Sequence, residues 1–106
     1  RYMSRLLVVL LALVLAACAA VPAQEMSDAR QAIQSAEQAG AATRAPRALT
    51  TARSLLEQAE AELAVKDYAA ARRSAYQAKT AAIQAREAAD DAARNAATGS
   101  GEPPRP

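Results

Sequence analysis

The sequence predicts an all-α fold, an antiparallel helical hairpin with a shorter helix ahead of it, packed along its length. Three observations carry that expectation. Ala supplies 32 of the 106 residues, and Ala combines the highest helix propensity with no side-chain entropy to lose. From residue 26 to residue 89, small and apolar residues recur at spacings of three and four, the period of one helix face. The breaks between these runs fall around Gly40 to Pro46 and at Lys66-Asp67, which divides the region into three helical segments.

The front of the chain has a different character. Of the 23 apolar residues other than Ala, 13 lie within positions 1 to 21. Arg1 and Arg5 flank the start of an apolar run of ten residues, Leu6 to Leu15, the charged n-region and apolar h-region of a secretory signal. A transmembrane helix needs roughly 20 such residues. The run leads into Leu15-Ala16-Ala17-Cys18, which resembles the lipobox of bacterial lipoproteins: a branched apolar residue, two small ones, then the Cys. Small residues suit a peptide lying extended in a peptidase cleft, and the thiol is the atom that takes the lipid. The resemblance implies a signal peptide over residues 1–17 and cleavage between Ala17 and Cys18. It further implies diacylglycerol on the Cys18 sulfur and an acyl chain of the palmitate type on its amino group. Three chains anchor firmly where one is marginal, since each buried methylene contributes about 0.8 kcal/mol. Ala19 stands where enterobacterial lipoproteins retained at the inner membrane have Asp, so the resemblance implies the periplasmic face of the outer membrane. The competing arrangement, an uncleaved anchor helix with Cys18 as a small buried hydrophobe, is disfavoured because the sole Cys occupies the one position the lipobox requires.

Residues 18–26 read as a lipidated tether, with Pro22 and no periodicity. Ser27 is the expected N-cap of the first helix, with Asp28 in its first turn. Met26, Ala29, Ile33, Ala36 and Gly40 follow at three- and four-residue steps, and Gly40 marks the end. Pro46 suits the first position of a second helix, where its missing N–H is harmless. That helix, to about Val65, carries Leu49, Ala52, Leu56, Ala59 and Leu63 in strict three–four alternation, a heptad stripe suited to shallow helix packing. Arg53 with Glu57 and Glu62 with Lys66 are spaced as i,i+4 pairs. Lys66-Asp67 is the turn, with Asp67 capping a third helix from Tyr68 to about Ala97. Its stripe is Tyr68, Ala71, Ala75, Ala78, Ala82, Ala85 and Ala89, nearly all Ala, which allows close approach to a neighbour. The helical domain is thus expected over residues 27–97, and residues 98–106, rich in Gly and Pro, as a disordered tail.

The run Leu55-Leu56-x-x-Ala59, Lys66-Asp67-Tyr68-x-x-Ala71-Arg72-x-x-Ala75-x-x-Ala78 resembles one tetratricopeptide-type helical pair. More narrowly, the chain is similar to a family of small Ala-rich proteobacterial lipoproteins that carry a domain of unknown function. That family shows Ala-Gly-Ala before an Ala-Pro and Gly-Asp-Tyr at the turn; here these are Ala39-Gly40-Ala41, Ala45-Pro46 and Lys66-Asp67-Tyr68, across residues 24 to 97 or so. The chain departs from the tetratricopeptide pattern at Ala75, where an aromatic is expected, and past Ile83, where no Pro ends the helix. It also has one unit where about three are needed to build a continuous core, so no concave peptide groove is expected. The resemblance implies a cell-envelope setting, where similar domains are joined to peptidoglycan-binding modules.

Composition narrows the function classes. With no His and one Cys, the chain lacks an ordinary zinc site, a His-based triad and an intrachain disulfide. Residues 18 to 106 carry 11 basic and 11 acidic side chains, so no basic field recruits nucleic acid. Glu57, Glu60 and Glu62, and the pair Asp90-Asp91, are expected on solvated helix faces, not in a catalytic pocket; Arg44 and Arg47 are expected on a solvated loop. No enzymatic activity, metal or cofactor beyond the lipid on Cys18 is expected. One stripe of the third helix stands out: Arg72, Tyr76, Lys79, Ile83 and Arg86, cations interleaved with two large apolar residues. It would serve either as a partner surface or as core. With only ten large apolar residues after position 21, we expect Tyr76 and Ile83 to pack on Leu49, Leu56 and Leu63 beneath the cation stems. The functional expectation is a lipid-anchored, non-catalytic adaptor with an envelope protein as partner; the alternative is a lipoprotein bound non-covalently to peptidoglycan. So small a core also leaves room for self-association.

Overall fold

The computed structural model describes residues 1–18 and 21–99. Among them are five helices and no strand: α1 (Tyr2–Cys18), α2 (Ala23–Gln38), α3 (Ala41–Arg44), α4 (Pro46–Ala64) and α5 (Tyr68–Gly99). The all-α class and the α4–α5 hairpin are as the sequence predicts. Helix α2 is more than an appendage, because it packs on both α4 and α5 and completes a three-helix bundle. Helix α1 touches no other helix among the described residues.

Helix α2 begins four residues before the expected Ser27 cap. Pro22 is its N-cap, and the Pro22 carbonyl accepts the Met26 N–H at 3.0 Å. A Pro has no N–H to lose, its side chain here is buried, and the last residues assigned to a tether are therefore helical. Ser27 lies inside the helix, where its hydroxyl accepts a bond from Gln31 at 3.5 Å. Gly40 ends α2 as predicted, with a left-handed φ of 83°. A Cβ there would meet only ordinary contact with the Arg44 side chain, so the need for Gly is conformational. The stretch between Gly40 and Pro46, expected as loop, contains the single turn α3; Ala41 and Ala45 are buried in it while Arg44 and Arg47 are exposed.

The α4–α5 connection is a Schellman turn. The Asp67 N–H donates to the Glu62 carbonyl at 2.9 Å and the Lys66 N–H to the Leu63 carbonyl at 3.0 Å. Lys66 takes the left-handed position at φ 62°, usually held by Gly. Asp67 caps α5 as expected, its Oδ1 accepting the Ala70 N–H at 3.3 Å. Helix α5 continues through Thr98 and Gly99, two residues into the expected tail; Thr98 Oγ1 donates to the Arg94 carbonyl at 3.0 Å. The remainder of that tail lies outside the described residues. From Arg94 to Gly99 every residue is exposed, so the last six residues of α5 stand clear of the bundle.

The core is an Ala seam. Ala71, Ala75, Ala78, Ala82, Ala85 and Ala89 are all fully buried. One cluster joins Ala82, Ala85 and Ala89 to Ile33, Ala36, Leu49 and Ala52; a second joins Ala75 and Ala78 to Met26, Ala29 and Ala59. Leu55, Leu56 and Leu63 are half-buried along the edges. The large residues thus come from α2 and α4, and α5 contributes methyl groups that let both partners approach. Ser74, beside the seam, is the one buried polar side chain among the described residues. Its hydroxyl donates to Glu62 Oε1 and accepts from Gln58 Nε2 at 3.3 Å, so it ties α5 to α4 with its polar atoms satisfied.

Three ion pairs join α2 to its neighbours: Glu25–Arg72 at 3.3 Å, Arg53–Glu37 at 2.8 Å and Arg30–Glu60 at 3.8 Å. They displace the expected pairing of Arg53 with Glu57. Glu62, expected to pair with Lys66, is bound by Ser74 instead. All three bridges lie near the surface, where such a pair contributes about 0–1 kcal/mol. Together they fix α2 parallel to α5 and antiparallel to α4.

The seam tolerates little growth. Ala82→Leu inserts three carbons where no space exists, and overpacking of this kind costs about 1–3 kcal/mol. Thermal unfolding followed by circular dichroism should show Ala82→Leu well below wild type, with helical content at low temperature retained.

Candidate functional site

Site geometry is set by the rotation of α5. At roughly 100° per residue, Tyr76 and Ile83 sit one step past Ala75 and Ala82, off the seam and over the α2 flank. Tyr76 is 66% exposed and Ile83 43% exposed. The expected packing of both on Leu49, Leu56 and Leu63 is therefore corrected. The space that those Leu side chains fill is closed on the α5 side by Ala methyls, and Leu49 packs with Ala82 and Ala85.

The structure brings all five stripe residues onto one outward strip of α5. Arg72 and Lys79 are half-buried and Arg86 is exposed. Arg72 Nε reaches Glu25 at 3.3 Å and Arg86 Nε reaches Asp90 at 3.9 Å, so two of the three cations already have carboxylate partners. Tyr76 stands between two shallow depressions. One, about 430 Å³, is lined by Glu25, Arg72, Arg73 and Gln77 with Tyr76. The other, about 370 Å³, runs toward Thr51 and Leu55 of α4. Both are open to solvent and neither converges polar groups on one point, which suits side-chain docking rather than chemistry on a small molecule.

The other candidates fall apart in space. Glu57 and Glu60 are exposed on α4 and Glu62 is half-buried against Ser74. Asp91 binds Arg94 one turn along α5, as Asp90 does Arg86. Among the described residues no group of three or more His, Cys, Asp or Glu side chains is placed to hold a metal ion. Ala17 and Cys18 form the end of α1. The leading part of that helix exposes Leu6, Leu7, Val8, Val9, Leu10 and Leu11, yet no described helix is long and apolar enough to cross a membrane.

The Ser74 network lies outside the sequence expectations. Its signal was present: Ser74 lies three residues after Ala71 and four before Ala78, on the shoulder of the seam, where a polar residue must find a partner. The interhelical ion pairs carried no local signal, because they join residues 16 to 47 positions apart, such as Arg53 with Glu37 and Arg72 with Glu25.

Exposure of Tyr76 and Ile83 makes a direct prediction. Substituting both by Ala should change stability by no more than about 0.5 kcal/mol each, as expected for surface positions. A fall in the unfolding midpoint matching the loss of two buried side chains would contradict this placement.

No curated protein and no solved structure matches the chain. The family described as Domain of unknown function (DUF4398) matches residues 24–99, which spans α2 to α5 entire apart from the first residue of α2. The chain therefore belongs to the DUF4398 family, whose domain in this protein is the Ala-seamed three-helix bundle with its short α3 turn.

Proposed function

We propose that this protein is a lipid-anchored component of the bacterial cell envelope, held at the periplasmic face of the outer membrane, with its bundle serving as a non-catalytic adaptor. The carrying observation is Leu15-Ala16-Ala17-Cys18 after the apolar run Leu6–Leu15, with the sole Cys of the chain in that position. In this reading residues 1–17 are removed and Cys18 takes diacylglycerol and an amide-linked acyl chain. An exposed apolar α1 that packs on no other helix supports a segment whose removal leaves the bundle intact. Ala19 supports the outer membrane over the inner.

The adaptor role draws on the strip Arg72, Tyr76, Lys79, Ile83 and Arg86. An exposed aromatic and an exposed branched aliphatic flanked by cations are the residues that anchor protein interfaces. The candidate carboxylates, by contrast, are dispersed, and Glu60, Glu62, Asp90 and Asp91 are bound to Arg or Ser partners, which supports a non-catalytic reading. Binding of peptidoglycan through the same strip is the alternative.

Metabolic labelling with a tagged palmitate tests the anchor. Label should enter the wild-type chain and be absent from Cys18→Ala; equal labelling would overturn the proposal. Sedimentation with purified sacculi tests the role, since an adaptor stays in the supernatant and a wall-binding protein is retained.

A further inference from the structure

We propose that the turn joining α4 to α5 rests in the phospholipid headgroup layer and holds the bundle upright on the membrane, with Val65 and Lys66 as its contact residues. This inference rests on the lipid anchor at Cys18.

Topology brings the turn to the anchored end. Four residues separate Cys18 from Ala23, the first residue of α2, and a chain of that length spans at most about 18 Å. The base of α2 therefore stays close to the bilayer that receives the acyl chains. The ion pairs give the register between α2 and α4: the step from Arg30 to Glu37 is matched by the step back from Glu60 to Arg53. Carried down to the start of α2, the same register sets Gln24 level with Lys66. The α4–α5 turn and the first turn of α2 thus share one end of the bundle. Pro46, Gly40 and the exposed end of α5 lie at the other.

Chemistry at that end suits a lipid surface. Val65 is 75% exposed and Val21 50% exposed, both larger exposures than the half-buried Leu side chains of α4. Lys66 follows Val65 at the apex, with no carboxylate paired to it among the described residues. None of the neighbouring carboxylates is bonded to Lys66: Glu25 is paired with Arg72, while Glu62 accepts from Ser74 and Asp67 from the Ala70 N–H, the last two keeping their charge. A branched apolar side chain beside an unpaired ammonium on a flexible stem matches the boundary between acyl chains and phosphates, where the stem lies in the apolar layer and the charge reaches the headgroup.

Sole-tryptophan fluorescence tests the placement, because the chain has no Trp. The mature lipidated protein, beginning at Cys18 and carrying Val65→Trp, would be reconstituted into vesicles of phosphatidylethanolamine and phosphatidylglycerol. Thr50→Trp, exposed on α4 and roughly 22 Å away along its axis, controls for the interfacial preference of Trp itself. Emission of Val65→Trp should shift to the blue on reconstitution and be quenched several-fold more strongly than Thr50→Trp by brominated acyl chains. Lys66→Glu in the Val65→Trp background should reduce both effects. If the protein floats with vesicles while both tryptophans stay equally water-exposed, the upright placement is overturned and the anchor stands. If the protein does not float with vesicles, the anchor fails and this placement fails with it.

Discussion

Close approach of three helices along the Ala face of α5 is the constraint on which the rest of this structure depends. Six fully buried Ala residues on one helix offer little apolar area apiece, so the seam stabilises the fold less by what it buries than by how near it lets α2 and α4 come. Their Leu, Ile and Met side chains then fill the space between backbones rather than between side chains. This geometry lets a chain with few large hydrophobes build its core from Ala, Leu, Ile and Met side chains in close contact. The same geometry excludes Tyr76 and Ile83 from the interior, so the surface strip and the narrow seam have one cause.

Polar residues add register rather than much stability. A heptad seam made of identical methyls is permissive to sliding, because a shift by one heptad presents the same Ala face of α5 to the side chains of α2 and α4. Ser74 bound to Glu62 and Gln58 breaks that equivalence at one level of the α4–α5 pair. The bridges from α2 do so at three more. Each is weak alone, yet a slipped arrangement would lose several together and leave the Ser74 hydroxyl buried without a partner, which costs more than the bond itself contributes.

The parts legible in the sequence are those set by local rules. Pro46 opening α4, Asp67 capping α5, Gly40 closing α2 and the Ala period of α5 each depend on a few adjacent residues and stand where expected. The start of α2 differs from the sequence expectation because Ser27-Asp28 has the composition of a cap, whereas Pro22, buried in the fold, supplies the first carbonyl. For the candidate strip, the spacing of its five residues was legible and its orientation was not. Whether Tyr76 faces Leu49 or water depends on which stripe of α5 forms the seam: with Ala75 and Ala82 buried against α2 and α4, Tyr76 and Ile83 lie roughly 100° further round the helix and face out. The Ala period and the Tyr76–Ile83 period are both present in α5, and only the packing of α2 and α4 selects between them.

The exposed end of α5 has a consequence for how helix stability is distributed along the chain. A six-residue segment would not form a helix by itself, since nucleation is unfavourable and short helices are marginal in water. From Arg94 to Gly99 the helix persists because the bundle has already supplied the nucleus and each further residue only propagates it. That end is therefore held by propagation from the bundle and is the part of α5 that opens at the least free-energy cost. Whatever follows Gly99 is thus joined to the bundle through about 9 Å of helix that is exposed along its whole length.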